Sequence, residues 1–85
     1  MLITFTQNAW EDYVYWQSID KRALKKINEL LKDIQRNPFS GIGKPEALKF
    51  DLAGYWSRRI DQEHRLVYQF KEHSILIYAC RYHYD

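Results

Sequence analysis

Apolar positions along this chain follow two different periods. From Asp20 to Arg36, Leu24, Ile27, Leu31 and Ile34 recur at i, i+3, i+7 and i+10, with Ala23 and Leu30 widening the stripe. That spacing predicts an amphipathic helix, capped by Asp20 and stopped by Asn37-Pro38. A shorter helix is predicted upstream, starting at Asn8, because Glu11 three residues on gives the spacing of a capping box. Trp10, Val14 and Gln17 fall on one side of it, with Tyr13 and Trp16 adjacent. Before it, Leu2-Ile3-Thr4-Phe5-Thr6 is short, apolar and rich in β-branched residues, a first strand.

After the loop Phe39-Ser40-Gly41-Ile42-Gly43-Lys44-Pro45 the period changes to two. Strand runs are expected around Glu46–Leu52, at Tyr55–Ile60, at His64–Phe70 and at Ser74–Tyr84, with turns at Asp61-Gln62-Glu63 and Lys71-Glu72-His73. In the third of these runs Leu66, Tyr68 and Phe70 are large and apolar, so they should lie under the helices and leave Arg65, Val67 and Gln69 on the open face. The last run is apolar on both faces, which marks it as interior to a sheet. Read as one unbroken strand, it puts Ile75, Ile77, Ala79, Arg81 and His83 on one face and Leu76, Tyr78, Cys80, Tyr82 and Tyr84 on the other. Strand, two helices, then four short strands joined by tight turns predict an α+β fold. Two N-terminal helices pack on one face of a twisted antiparallel sheet.

Eighty-five residues suffice for a single small domain, taken as residues 1–85, with one core and no room for a large internal cofactor cavity. A net charge of +2 says little about nucleic acid, but its distribution says more. Between Asp20 and Arg36 six Lys or Arg face three acids. The lysine-rich face of that helix has two readings, a solvated surface or a stripe facing phosphates. Cys80 is the sole cysteine, which excludes an internal disulfide. No apolar run is long enough to span a membrane, and no signal-peptide pattern opens the chain, so a cytoplasmic protein is expected.

The polar end of the last run, Arg81-Tyr82-His83-Tyr84, is either a frayed terminus or a site built on a core strand. If pairing brings Arg65 near it, Arg65 meets Arg81 or His83, and Arg59 can join from the strand before. Glu46 and Lys49 reach the same face only if the loop folds back. No His/Cys/carboxylate cluster has metal-ligand spacing, no phosphate-binding glycine loop precedes a helix, and no Ser or Cys nucleophile sits beside a base. The set suits cleavage of an RNA phosphodiester, in which the substrate brings its own nucleophile. A carboxylate takes the 2′-hydroxyl proton, an imidazolium gives one to the departing 5′-oxygen, and guanidiniums hold the charge gathering on the phosphorane. Aromatic rings on the same surface would stack unpaired bases. Scattered Arg, Glu and His are also the makings of surface ion pairs.

Several strings carry a resemblance that runs essentially end to end. They include Trp10-Glu11-Asp12-Tyr13, Lys25-Lys26-Ile27-Asn28-Glu29-Leu30, Gly43-Lys44-Pro45-Glu46, Trp56-Ser57-Arg58-Arg59-Ile60, Glu63-His64-Arg65-Leu66-Val67-Tyr68 and Ala79-Cys80-Arg81-Tyr82-His83-Tyr84. The chain resembles the YoeB (Txe) group of the RelE/ParE toxin superfamily. Departures are few: Phe50 and Asp51 stand where a polar pair is usual, and Asp85 follows the terminal Tyr. The resemblance implies a compact microbial-ribonuclease-like fold and an mRNA interferase of a type II toxin–antitoxin system. Such a toxin cuts mRNA in the A site of the 70S ribosome, without metal or other cofactor. It implies a YefM/Phd-type antitoxin as partner, a homodimer as an option, and DNA contact only through the antitoxin. Residue by residue, it implies Glu46 as general base, His83 as general acid and Arg65 as the clamp on the transition state. Lys49 and Arg59 assist, Tyr84 positions substrate or the last strand, and Arg81 and Lys44 contact phosphate. The basic second helix becomes a docking face for ribosomal RNA.

Two rival readings stay open at this point. A ParE-like toxin shares the scaffold but inhibits a topoisomerase by binding, with no need for Glu46, Arg65 and His83 together. A small repressor subunit would instead use the lysine helix on DNA.

Overall fold

The computed structural model describes residues 1–82. β1 (Leu2–Phe5) leads into α1 (Gln7–Ile19) and α2 (Lys21–Arg36). A loop then opens into β2 (Glu46–Ala47), a 3₁₀ turn (Phe50–Leu52), β3 (Trp56–Arg59), β4 (Arg65–Lys71) and β5 (Ser74–Ala79). The strands form one five-stranded sheet in the order β1-β5-β4-β3-β2. From β2 to β5 neighbours are antiparallel, as expected, but β1 joins β5 in parallel, so the sheet is mixed.

Both helices pack on one face. Ala9 and Trp16 from α1 and Ala23, Ile27, Leu30 and Ile34 from α2 meet Leu66 and Tyr68 of β4 and Ile75 and Ile77 of β5. In α2 the periodicity holds, with its centre rotated slightly: Ala23, Ile27, Leu30 and Ile34 are buried while Leu24 and Leu31 are half-buried. Asp20 caps it as expected, its Oδ1 accepting from the Arg22 and Ala23 N–H groups at 2.9 and 3.2 Å.

In α1 two expectations are corrected. The N-cap is Thr6, not Asn8: the Thr6 hydroxyl accepts from the Ala9 N–H at 3.0 Å and donates to the Tyr78 carbonyl at 2.8 Å, joining the cap to β5. Asn8 instead donates to the Asp12 carboxylate one turn on. The buried stripe is Ala9, Asp12 and Trp16, while Trp10 and Val14 stay about half exposed.

The last strand is also shorter than expected. It ends at Ala79, and a bulge precedes that end: Tyr68 pairs with Ile77 but Val67 pairs with Ala79, leaving Tyr78 as the extra residue. The bulge shifts the alternation by one, so Ala79 lies opposite Val67. Cys80 turns into the core beside α1, its Sγ 3.6 Å from the Ala9 carbonyl. The β4–β5 hairpin closes on Glu72 and His73, both with positive φ (53° and 60°), as a two-residue type I′ turn requires. Among the described residues no helix is long and apolar enough to cross a membrane.

Candidate active site

The site is built on the sheet face opposite the helices, and the loop from Asn37 to Gly43 decides what reaches it. That loop wraps around one side chain. Arg58 of β3 is fully buried, in phase with Trp56 on the helix side, and all five of its N–H donors are used. Nε donates to the Tyr68 hydroxyl at 3.1 Å. Nη1 donates to the Asp33 carboxylate and the Ile42 carbonyl, and Nη2 to the carbonyls of Asn37 and Ser40. Tyr68 in turn donates to the Pro38 carbonyl at 2.6 Å. The Arg58 guanidinium, and after it the Ile42 N–H, hold the Asp33 carboxyl below the usual carboxylate range, whereas burial pushes the Tyr68 hydroxyl up. Two glycines let the loop close this tightly. At Gly41 (φ 115°) a Cβ would lie 2.1 Å from Asp33 Oδ2, and at Gly43 (φ 80°) 2.7 Å from Leu30 Cδ2.

So fixed, the loop folds back along β3. The Arg59 N–H donates to the Gly43 carbonyl at 2.7 Å, and Glu46 becomes the direct partner of Ser57. Partners opposite one another in a ladder share a face. The register therefore runs one row across four strands, Glu46–Ser57–Val67–Ala79, with Arg59 and Arg65 paired in the neighbouring row. Ser57, Val67 and Ala79 are small and buried, while Glu46 at the end of their row is exposed. Beyond them the rings of Tyr55 and Tyr78 approach to 5.3 Å. The result is a shallow trough with a carboxylate at one end, guanidiniums along one side and phenols along the other.

Arg65 is only 9% exposed, and one end of its guanidinium is tethered. Nη1 donates to the carbonyls of Asp61, His64 and Gln62 at 2.9, 3.1 and 3.3 Å. Its backbone N–H donates to the Tyr82 carbonyl at 2.9 Å. Where Arg81 or His83 was expected, Arg65 thus meets the segment past β5 through the backbone at Tyr82. Arg81 is turned toward α1, its guanidinium 3.6 Å from the Tyr15 ring centroid and 4.6 Å from that of Tyr82. Lys49 flanks the 3₁₀ turn, and its carbonyl accepts from the Leu52 N–H. Lys44 lines a groove of about 340 Å³ together with Lys26, Arg59 and the 60–62 turn. His83 and Tyr84 lie outside the described residues.

Among the described residues Arg58 and Asp33 form an ion pair and the His64 ring approaches the Glu63 carboxylate at 3.8 Å, so Glu46, Lys44, Lys49, Arg59 and Arg65 carry charges with no ion partner there. Also among the described residues, no three His, Cys, Asp or Glu side chains converge as metal ligands would. The sequence reading passed over Arg58 and Asp33. The available signal was phase: Arg58 stands two residues from both Trp56 and Ile60, which point to the core.

Comparison with known proteins agrees with this architecture. Residues 5–84 match the family model of the YoeB-like toxin of bacterial type II toxin–antitoxin systems. The toxin YoeB of Escherichia coli (strain K12) is 60% identical over 84 residues, covering 99% of this chain and all of that one. The corresponding toxin of Streptomyces coelicolor is 57% identical over the same span. Among solved structures, a YoeB/ParE toxin from Agrobacterium tumefaciens superposes with a TM-score of 0.96 at 48% identity, covering 99% of this chain and 100% of that one. The toxin in a YoeB-YefM complex from Staphylococcus aureus does so with a TM-score of 0.91 at 57% identity, covering 99% of each. Matched over nearly its whole length in sequence and in fold, this chain belongs to the YoeB-like toxins of bacterial type II toxin–antitoxin systems.

Proposed function

We propose that this toxin is an endoribonuclease that cuts mRNA in the ribosomal A site by metal-independent acid–base chemistry, and so halts translation in the cytoplasm. The observation that carries this reading is the shared trough: Glu46 ends the row Ser57–Val67–Ala79, and the Arg59–Arg65 pair flanks it. In this reading Glu46 takes the 2′-hydroxyl proton and His83 protonates the leaving 5′-oxygen, each transfer worth about 10²–10⁴-fold. Arg65 and Arg59 neutralise the phosphorane oxygens, and Lys49 and Lys44 hold flanking phosphates. Tyr84 and the trough phenols steady the bases, with Arg81 a lesser phosphate contact. The lysine face of α2, continuous with the groove at Lys26 and Lys44, docks on ribosomal RNA.

The partner in the cell is a YefM/Phd-type antitoxin, through which the toxin reaches DNA. The relative from Staphylococcus aureus solved with YefM supports this, and a YoeB dimer from that organism supports self-association. The ParE-like reading is not favoured, since the family model and the relatives at 57–60% identity are YoeB toxins. The test is cleavage of mRNA on purified ribosomes by wild type, Glu46→Ala and His83→Gln, with antitoxin binding measured in parallel. Loss of cleavage with binding intact is expected; both variants cutting at the wild-type rate would overturn the mechanism.

A further inference from the structure

We propose that Asp12 and His64 are positioning residues: together they clasp the Cys80–Tyr82 segment, which carries the chain into His83 and Tyr84. The inference rests on the cleavage reading above and adds to it what holds the acid's end of the chain.

Past Ala79 the chain leaves the sheet, and side chains take over from the ladder. The Cys80 N–H donates to Asp12 Oδ2 at 3.0 Å, and the Cys80 carbonyl accepts from the Trp16 indole N–H at 2.7 Å. Two residues on, the Tyr82 N–H donates to His64 Nδ1 at 2.8 Å, and the Tyr82 carbonyl accepts from the Arg65 N–H. Tyr82 has φ 71°, a left-handed conformation that costs a tyrosine about 1–3 kcal/mol and persists only where its surroundings impose it. The two bonds at its own N–H and carbonyl supply that constraint.

Neither side chain is an economical choice for packing alone. Asp12 is 7% exposed, in the buried stripe of α1, where a leucine would avoid desolvating a carboxylate. Burial raises its pKa against the opposing pull of the Cys80 N–H and of Arg81. The His64 ring packs edge-on against Trp16 at 4.8 Å, and the His64 backbone N–H donates to Asp61 Oδ1 at 2.6 Å. To accept from Tyr82, Nδ1 must carry no proton. Two elements far apart in sequence, α1 and the β3–β4 turn, thus converge on three residues next to the proposed acid.

His64→Phe keeps a ring against Trp16 and removes the acceptor, whereas His64→Asn puts an amide oxygen near the position of Nδ1. Asp12→Leu and Asp12→Asn form the matching pair at the other end. Each folded variant is assayed for cleavage of ribosome-bound mRNA, and exchange of the Tyr82 amide is followed by NMR. For His64→Phe we expect kcat to fall on the order of 10–100-fold with KM little changed, and the Tyr82 amide to lose protection. His64→Asn should recover both. Should Asp12→Leu fail to fold, the His64 pair alone decides. Wild-type kcat in His64→Phe despite an unprotected Tyr82 amide would overturn the inference, as would equal losses in His64→Phe and His64→Asn. Inactive wild type would instead overturn the cleavage reading, and this inference with it.

Discussion

Arg59 and Arg65 stand directly opposite one another in the β3–β4 ladder, two guanidiniums on one face with no ion pair to either among the described residues. Like charges at directly opposed positions destabilise a sheet by about 0.2–1 kcal/mol. Arg65 offsets part of that through its carbonyl contacts, but Arg59 is exposed and gains nothing comparable. The pair suits a polyanion laid between the two groups.

Arg59→Gln should therefore leave the fold as stable as wild type or more so, by up to about 1 kcal/mol, while cleavage of mRNA falls. A short single-stranded RNA should raise the melting temperature of wild type more than that of the variant. Thermal melts with and without RNA decide this. A destabilised Arg59→Gln protein with undiminished RNA binding would make Arg59 a structural residue.

Arg58 gives the opposite expectation. Its five donors tie α2, the 37–42 loop and Tyr68 together, so Arg58→Lys should cost about 3 kcal/mol, the lower end for breaking a buried ion pair. Tyr68→Phe, which orphans the Pro38 carbonyl and the Arg58 Nε–H, should cost about 1–3 kcal/mol. Because the loop sets Glu46 against Ser57, both variants should lose activity beyond what their unfolded fraction explains. Urea denaturation alongside cleavage rates separates the two effects, and activity that follows the folded fraction alone would count against the coupling.

What the sequence disclosed and what it hid follow from period and polarity. The α2 stripe was legible because its buried positions are all apolar, and Asp20 was legible because a cap acts locally. The α1 stripe was misjudged because Asp12 occupies its centre: a carboxylate where a periodicity argument looks for an apolar residue shifts the apparent face toward Trp10 and Val14. Asn8 mimicked a cap that Thr6 wins, because Thr6 also bonds the Tyr78 carbonyl, a partner 72 residues away. The end of β5 was illegible for another reason. One bulged residue at Tyr78 reverses every later side chain, and nothing in an apolar run marks a bulge. Arg65 could be assigned to the open face from alternation alone. That Glu46 joins it depended on a loop whose closure is set by the buried Arg58.

Cys80 provides a check on that reversal. Turned into the core beside α1, its thiol is pushed up to about 12 by burial and then by the nearby Asp12 carboxylate. The native protein should not react with a thiol reagent at pH 8 on the time scale in which the unfolded chain does. Had β5 continued unbroken, Cys80 would share the open face with Tyr78 and would titrate readily. Prompt labelling without unfolding would place the bulge elsewhere.

Acid should loosen the loop before the sheet. The Asp33 carboxyl is held below its ordinary range by Arg58, so near that range the unfolded chain binds more protons than the folded one. Its contribution is in full force above the unfolded carboxylate value, about 3.9, and is lost as pH falls through the lower folded value. Asp12, raised by burial, runs the other way: its charged form is disfavoured in the fold, so its contribution declines as pH rises through the ordinary range and beyond. Asp33→Asn should thus be less stable than wild type at pH 7, with the gap narrowing toward pH 3. Asp12→Asn should not show that acid-side convergence. Urea midpoints measured across this range test both senses at once. A gap between wild type and Asp33→Asn that stays constant with pH would mean that Arg58 is not holding the Asp33 charge.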